Sequence, residues 1–281
     1  MIKKFKYLLL TLVLFATYGQ AQQPSCCTMT SSNRFALLAD EESFRASHAD
    51  PLPFEYLSSR GKMITLKTGS GGPANAFEIK SEKSTRNFLL VIHEWWGLND
   101  YIKQEAEKLQ QELGNVNVLA VDLFDGKVAT KADDAARYMK EASEKRIVSI
   151  LKAALAYAGK DARIETIGWC FGGGWSLQTS ILAGAQGTGC VMYYGMPEQD
   201  TTKIKALKAP VLGIFASKDE WITPEKVSSF VTLMKKNGKD VQVQTFTADH
   251  AFANPSNPNH NKEAAAEAHR MAVGFLKDHL K

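Results

Sequence analysis

The chain has 281 residues, 34 Lys and Arg against 30 Asp and Glu, a net charge of +4, and four cysteines. Four cysteines without a C-x-x-C pair exclude a disulfide scaffold and a thiolate zinc finger, and no concentrated basic face points to nucleic acid. What remains is a chain long enough for one large α/β domain with a substantial core.

The opening residues MIKKFKYLLLTLVLFATYGQA carry three lysines, an apolar run and a small-residue ending at Ala21. This is the pattern of an export signal cleaved after Ala21. The apolar run, about a dozen residues, is short of the ~20 that span a bilayer, so the mature protein is expected to have no membrane span. Loss of Lys3, Lys4 and Lys6 would leave a net charge of about +1. Gln23-Pro24-Ser25 disfavours lipid attachment at Cys26. The expected organisation is a signal peptide over 1–21, a polar and helical appendage over 22–58 ending in Pro51 and Pro53, and a catalytic domain over 59–281, in the periplasm or outside the cell.

From Gly61 onward, apolar strand-like runs (KMITLK, ANAFEIK, NFLLVIH, VNVLAVDLF, RIETIGWC, GCVMYYG, APVLGIF, DVQVQTF) alternate with helical patterns. One of these patterns reads as a single helix from Ala135 to Gly159. Such alternation predicts an α/β fold, a mostly parallel sheet with helices on both faces and ligands at the carboxyl ends of the strands.

ETIGWCFGGGW places Cys170 between a strand and a helix, with Gly168 and Gly172 two residues to either side. This is the sharp turn of a nucleophile elbow, written G-x-C-x-G. The helix amino terminus favours a thiolate there. Cys190, in GTGCVMYYG, reads instead as a small buried hydrophobe. An elbow orders its partners along the chain as nucleophile, acid and histidine. Asp219 follows the strand APVLGIF and His250 follows VQVQTF. Asp249 is too close to His250 in sequence for a good Nδ1 contact, and Thr223 is a better cap than Asp219 for the helix at Pro224.

HEWWG at 93–97 has glycine where a metalloprotease needs its second histidine, and the triple glycine 172–174 lacks the Lys-Ser/Thr of a phosphate loop. HEWWG follows a strand at the place where an elbow hydrolase supplies its second oxyanion donor. Trp95 N–H and Phe171 N–H are therefore the expected pair. His48, His260, His269 and His279 stand in polar or helical text of surface character and are assigned no role.

HEWWG, GWCFGG, Asp219 in ASKDEWITP and His250 in ADHAFAN together resemble the dienelactone hydrolase family, from about Gly61 to the carboxyl terminus. The resemblance implies the α/β-hydrolase fold, a Cys-His-Asp hydrolase, no metal or organic cofactor, and a role for Glu94 in holding the resting thiol and generating thiolate when substrate arrives. A shielded thiol would survive an oxidising compartment. The family's two substrate-carboxylate arginines are replaced by Gly126, with Lys127 beside it, and by Asn254. Without the bidentate arginine geometry, and with Trp95, Trp96, Trp169, Trp175 and Trp221 all near the expected site, the substrate expected is a small uncharged ester or lactone. Lys127, Trp96 and Asn254 are its candidate contacts. Acyl transfer, thioester cleavage and a non-catalytic binding role on the same fold are the alternatives.

Overall fold

A computed structural model describes the backbone of residues 31–280 and the side chains of residues 34–280. The expected signal peptide, its cleavage after Ala21 and the Cys26-Cys27 pair lie outside the described residues.

In chain order the elements are α1 (Ser31–Leu37), a 3₁₀ turn (Leu38–Asp40), α2 (Glu42–Ala46), β1 (Lys62–Leu66), β2 (Ala74–Ile79), β3 (Asn87–Ile92), α3 (Asp100–Leu113), β4 (Asn117–Val121), α4 (Ala132–Glu141) and α5 (Glu144–Ala158). There follow β5 (Arg163–Trp169), α6 (Phe171–Ala183), β6 (Gly187–Tyr193), α7 (Thr201–Ala206), β7 (Val211–Ala216), α8 (Pro224–Lys236), β8 (Val241–Phe246) and α9 (Lys262–His279). The sheet order is β1-β2-β4-β3-β5-β6-β7-β8. β1, β2 and β4 pair antiparallel, and the remaining pairs from β4 to β8 are parallel. This is the α/β-hydrolase arrangement. The central strands β3, β5, β6 and β7 read as continuous apolar runs because helices cover both faces: α3 and α9 on one, α5 and α6 on the other.

The eight expected strands all form. The helical text from Ala135 to Gly159 does not form one helix: it breaks between Glu141 and Glu144, where Ser143 in extended backbone accepts from Arg146 N–H and starts α5 as its N-cap. Thr223 caps α8, with Pro224 in the first turn. Among the described residues no helix is long and apolar enough to cross a membrane.

Glu165, inside β5, is fully buried, and neither carboxyl oxygen has a hydrogen-bond partner. Burial pushes its carboxyl up to about 9, against a smaller opposing effect of Arg163. The folded protein therefore holds the proton at neutral pH, whereas the unfolded chain releases it near the ordinary 4.5. The stability tied to this proton is fully present below about 4.5 and is lost as pH rises to about 9. Glu165→Met, apolar and of similar length, is expected to melt above the wild type at pH 8, with the gap closing toward pH 5. A gap independent of pH in thermal scans would show that the carboxyl is not held protonated.

Candidate active site

The parallel register brings the carboxyl ends of five strands to one edge: Ile92 of β3 pairs with Gly168 of β5, and Trp169 with Tyr193 of β6. β7 and β8 end beside them at Ala216 and Phe246. Glu94, Cys170, Asp219 and His250 each follow one of these ends.

Cys170 takes φ 57°, ψ −120°, a conformation that costs a non-glycine residue roughly 1–3 kcal/mol. The turn is held by Cys170 N–H donating to Tyr193 O and by Gly173 N–H donating to Cys170 O, each 3.0 Å. A Cβ on Gly168 would lie 2.2 Å from Gly172 O, and one on Gly172 would lie 2.3 Å from His93 O. The two glycines therefore let α6 start directly against both β5 and the end of β3.

The loops after β7 and β8 are tied together by Ser217 N–H to Phe246 O, 2.8 Å, and Lys218 N–H to Ala248 O, 3.1 Å. The ties bring Asp219 to His250, whose Nδ1 lies 2.6 Å from Asp219 Oδ2. The other oxygen, Oδ1, accepts from Trp221 N–H (2.9 Å) and Ile222 N–H (2.8 Å), which fixes the carboxylate plane. On the far side of the imidazole, His250 Nε2 lies 3.4 Å from Cys170 Sγ. Asp249, the neighbouring carboxylate, is exposed.

Burial pushes the Cys170 thiol up, and the His250 charge and hydrogen bond oppose that rise. His250 is raised well above its usual value: burial works against this, but Asp219 first and then Cys170 overcome it. Burial also pushes Asp219 up, yet His250 and the two loop amides bring it below the ordinary carboxylate value. The result is a strong base aimed at a shielded thiol.

Glu94 is buried. Its Oε2 accepts from Asn254 Nδ2 at 2.5 Å, while Oε1 has no partner. Burial pushes the carboxyl up to about 7, opposed by the His250 charge and the Asn254 bond. The thiol's hydrogen-bond partner in this state is His250 rather than Glu94. Glu94, with Trp169, Tyr193 and Asn254, lines a cavity of about 460 Å³ between α3 and α9.

Two of the expected substrate contacts have other partners. Lys127 is exposed and ion-paired to Glu141, 2.6 Å, and Asn254 spends its amide nitrogen on Glu94 and its oxygen on Ser256 N–H and Oγ. Neither the Glu141 pairing nor the Glu94 bond can be judged from sequence spacing alone, because each of these partners comes from another segment. Trp96 is buried against Trp95, with ring centroids 4.8 Å apart.

The largest departure from the sequence reading is His48. It is not a surface residue: it is 4% exposed, its ring 4.7 Å from that of Trp95 and 5.4 Å from that of His250. It arrives with α1 and α2, whose Phe35 and Phe44 are fully buried and meet His250, Trp95 and Trp221. Burial of each phenylalanine contributes about 1.5–3 kcal/mol, so these helices form an anchored cap. Cys170 beneath is 1% exposed. The available signal was the spacing of Phe44 and His48, four residues apart, which lets the turn after α2 bring the His48 ring against Phe44, 4.3 Å between centroids.

The dienelactone hydrolase family model matches residues 75–280. The chain belongs to the dienelactone hydrolase family. A protein of Aquifex aeolicus provisionally named a carboxymethylenebutenolidase is 32% identical over 69% of this chain and 88% of its own length. Protein usf of Aquifex pyrophilus is 31% identical over 68% of this chain and 88% of its own length. In solved structures, a dienelactone hydrolase of Anabaena variabilis superimposes with a TM-score of 0.59 at 15% identity, covering 79% of this chain and 99% of that one. A dienelactone hydrolase-like promiscuous phosphotriesterase from metagenomic libraries gives a TM-score of 0.68 at 20% identity, covering 79% and 99%. The 31–58 cap lies outside the segment matched by the dienelactone hydrolase model.

Proposed function

We propose that this dienelactone hydrolase family member is an exported cysteine hydrolase that cleaves a small uncharged ester or lactone through an acyl-enzyme. The observation that carries the reading is the continuous line from Asp219 Oδ2 through the His250 ring to Cys170 Sγ, with separations of 2.6 and 3.4 Å.

His250 takes the thiol proton, and the sulfur attacks the substrate carbonyl. The oxyanion forms against Phe171 N–H and Trp95 N–H, each such donor contributing about 3 kcal/mol. His250⁺ then protonates the leaving oxygen. Water, with His250 as base, releases the acid and restores the thiol. Asp219 stays ionised and stabilises the imidazolium.

Glu94 is placed to gate the thiol. It forms part of the cavity wall, and its charge is felt by both Cys170 and His250. Asparagine rather than arginine at position 254, with its amide nitrogen bonded to Glu94, favours a neutral substrate; the cavity sets Trp169 and Tyr193 beside Lys108, Lys262 and Arg270.

Glu94→Gln is expected to lower kcat/KM about 10- to 100-fold and to remove an ionisation near 7 from its pH profile. In the wild type the carboxyl must lose its proton to act as a base, so activity should rise with pH through that value. An unchanged profile in the variant would detach Glu94 from the thiol's activation.

A panel of aryl esters and small lactones, assayed with the mature protein, tests the substrate class. Turnover confined to thioesters, or to reactions with an added amine or thiol acceptor, would replace hydrolysis with acyl transfer or thioester cleavage. Fractionation of the native host tests export, and recovery of the full-length chain in the cytosol would contradict it.

A further inference from the structure

We propose that His48, Cys170 and His250 form a binding site for a thiophilic divalent cation, zinc above all, that holds the enzyme in a reversible off state by tying the cap to the thiol. Binding rests only on these three side chains, whereas inhibition also rests on Cys170 being the nucleophile.

The ligand atoms of the three residues all lie within 4.8 Å of one another, and all three residues are buried. Thiolate and imidazole are the ligand types zinc prefers, with Zn–S about 2.3 Å and Zn–N about 2.0–2.1 Å. Around a tetrahedral ion those lengths put neighbouring ligand atoms about 3.3–3.6 Å apart. The Cys170–His250 edge, at 3.4 Å, already has that length. The longest edge has to shorten by no more than roughly 1.5 Å, a movement within reach of a side chain on the five-residue α2 and its following turn.

Both imidazoles are oriented as metal ligands are. His250 donates its Nδ1–H to Asp219, a carboxylate–histidine arrangement that fixes the ring and raises the basicity of Nε2. His48 directs Nδ1 at Phe44 O, 2.6 Å, with Ser47 Oγ at 3.1 Å. The carbonyl can only accept, so Nδ1 carries the proton and the lone pair sits on Nε2. That Nε2 is buried and has no hydrogen-bond partner. A buried, preoriented lone pair beside a thiol and a second imidazole is the feature the hydrolytic mechanism leaves unused.

A cleft reaches both imidazoles. It measures about 170 Å³ and is lined by His48 and His250, with Glu220 and Asp249 against the single cation Lys218. Its acidic balance favours a cation over an anion. Binding is a ligand exchange without redox change: the thiol proton leaves, sulfur bonds to the ion, and His48 Nε2 and His250 Nε2 each donate a lone pair. The fourth position is left to water or chloride. The occupied site withdraws the nucleophile and its base together and joins α2 to the elbow, so chelation restores activity.

The test uses the mature full-length protein, stripped with chelator, and its His48→Phe and His48→Gln variants. His48→Phe keeps an aromatic ring against Phe44, Trp95 and Trp221, and His48→Gln keeps a polar side chain. Ester hydrolysis without metal and melting curves show whether each variant retains the fold. Zinc is then titrated against a chromophoric chelator, and cobalt(II) is added to look for thiolate-to-cobalt charge-transfer absorption.

The expected result is one zinc per chain with loss of hydrolysis, a charge-transfer band that is absent in Cys170→Ala, and full reversal by chelator. Both His48 variants should keep metal-free hydrolysis within a few fold and bind zinc at least about 100-fold more weakly, more than an outer-shell change usually costs. Equal zinc affinity in wild type and both folded variants would overturn the site, as would tight binding that survives Cys170→Ala. His48-dependent binding in a protein that hydrolyses no ester or lactone would leave the metal site standing and contradict the hydrolase reading instead.

Discussion

Cys170→Ala is expected to lower ester turnover by roughly 10⁴-fold or more, because in the proposed mechanism the step that forms the acyl-enzyme loses its nucleophile while the oxyanion donors remain. The same variant should fold. The thiol is a small buried group, and alanine meets the positive φ of 57° with the same Cβ that cysteine already carries there. The check is steady-state hydrolysis of an activated aryl ester beside a thermal melt. Wild-type turnover in a folded variant would remove Cys170 from the chemistry, and the shared fold would then be better explained as a binding scaffold.

Asp219→Asn is the second large effect. The asparagine oxygen can still accept from Trp221 and Ile222 N–H, so the loop is kept. Its amide nitrogen, however, meets His250 Nδ1, where the wild type has an acceptor at 2.6 Å. The ring must then place its proton on Nε2, the atom that has to receive the thiol proton. A fall in kcat of roughly 10²- to 10⁴-fold is expected, with little change in melting temperature. In the wild type, Asp219 is held below the ordinary 3.8. Its stabilising contribution is therefore present above that pH and lost as pH falls through the lower folded value. Unchanged turnover in the variant would show that Asp219 does not orient the base.

The sheet was legible because its strands are short apolar runs set off by helical text, and the elbow because its signal is local: two glycines flank Cys170 where a strand meets a helix. Asp219 and His250 were legible through chain order at successive strand ends. What escaped was decided by contacts between distant segments. His48 stands in RASHAD, polar by composition, and is buried only because Phe35 and Phe44 dock their helices over the site. The partners of Lys127 and Asn254 were likewise not readable from spacing: Glu141 pairs with the first, and Glu94 accepts from the amide nitrogen of the second. The break at Ser143 turned on one capping hydrogen bond inside an otherwise helical stretch.

The cap also bears on how the thiol persists. A cysteine that is 1% exposed and whose proton is favoured by burial presents little thiolate to oxidants.

The proposed mechanism is tested most directly by intact-mass and peptide-mapping spectrometry after rapid mixing of the protein with an activated aryl ester. A transient adduct with the mass of the acyl group is expected, mapped to the peptide holding Cys170 and lost on the timescale of turnover. Turnover with no adduct on that peptide, or with the acyl group mapped to another residue, would contradict it.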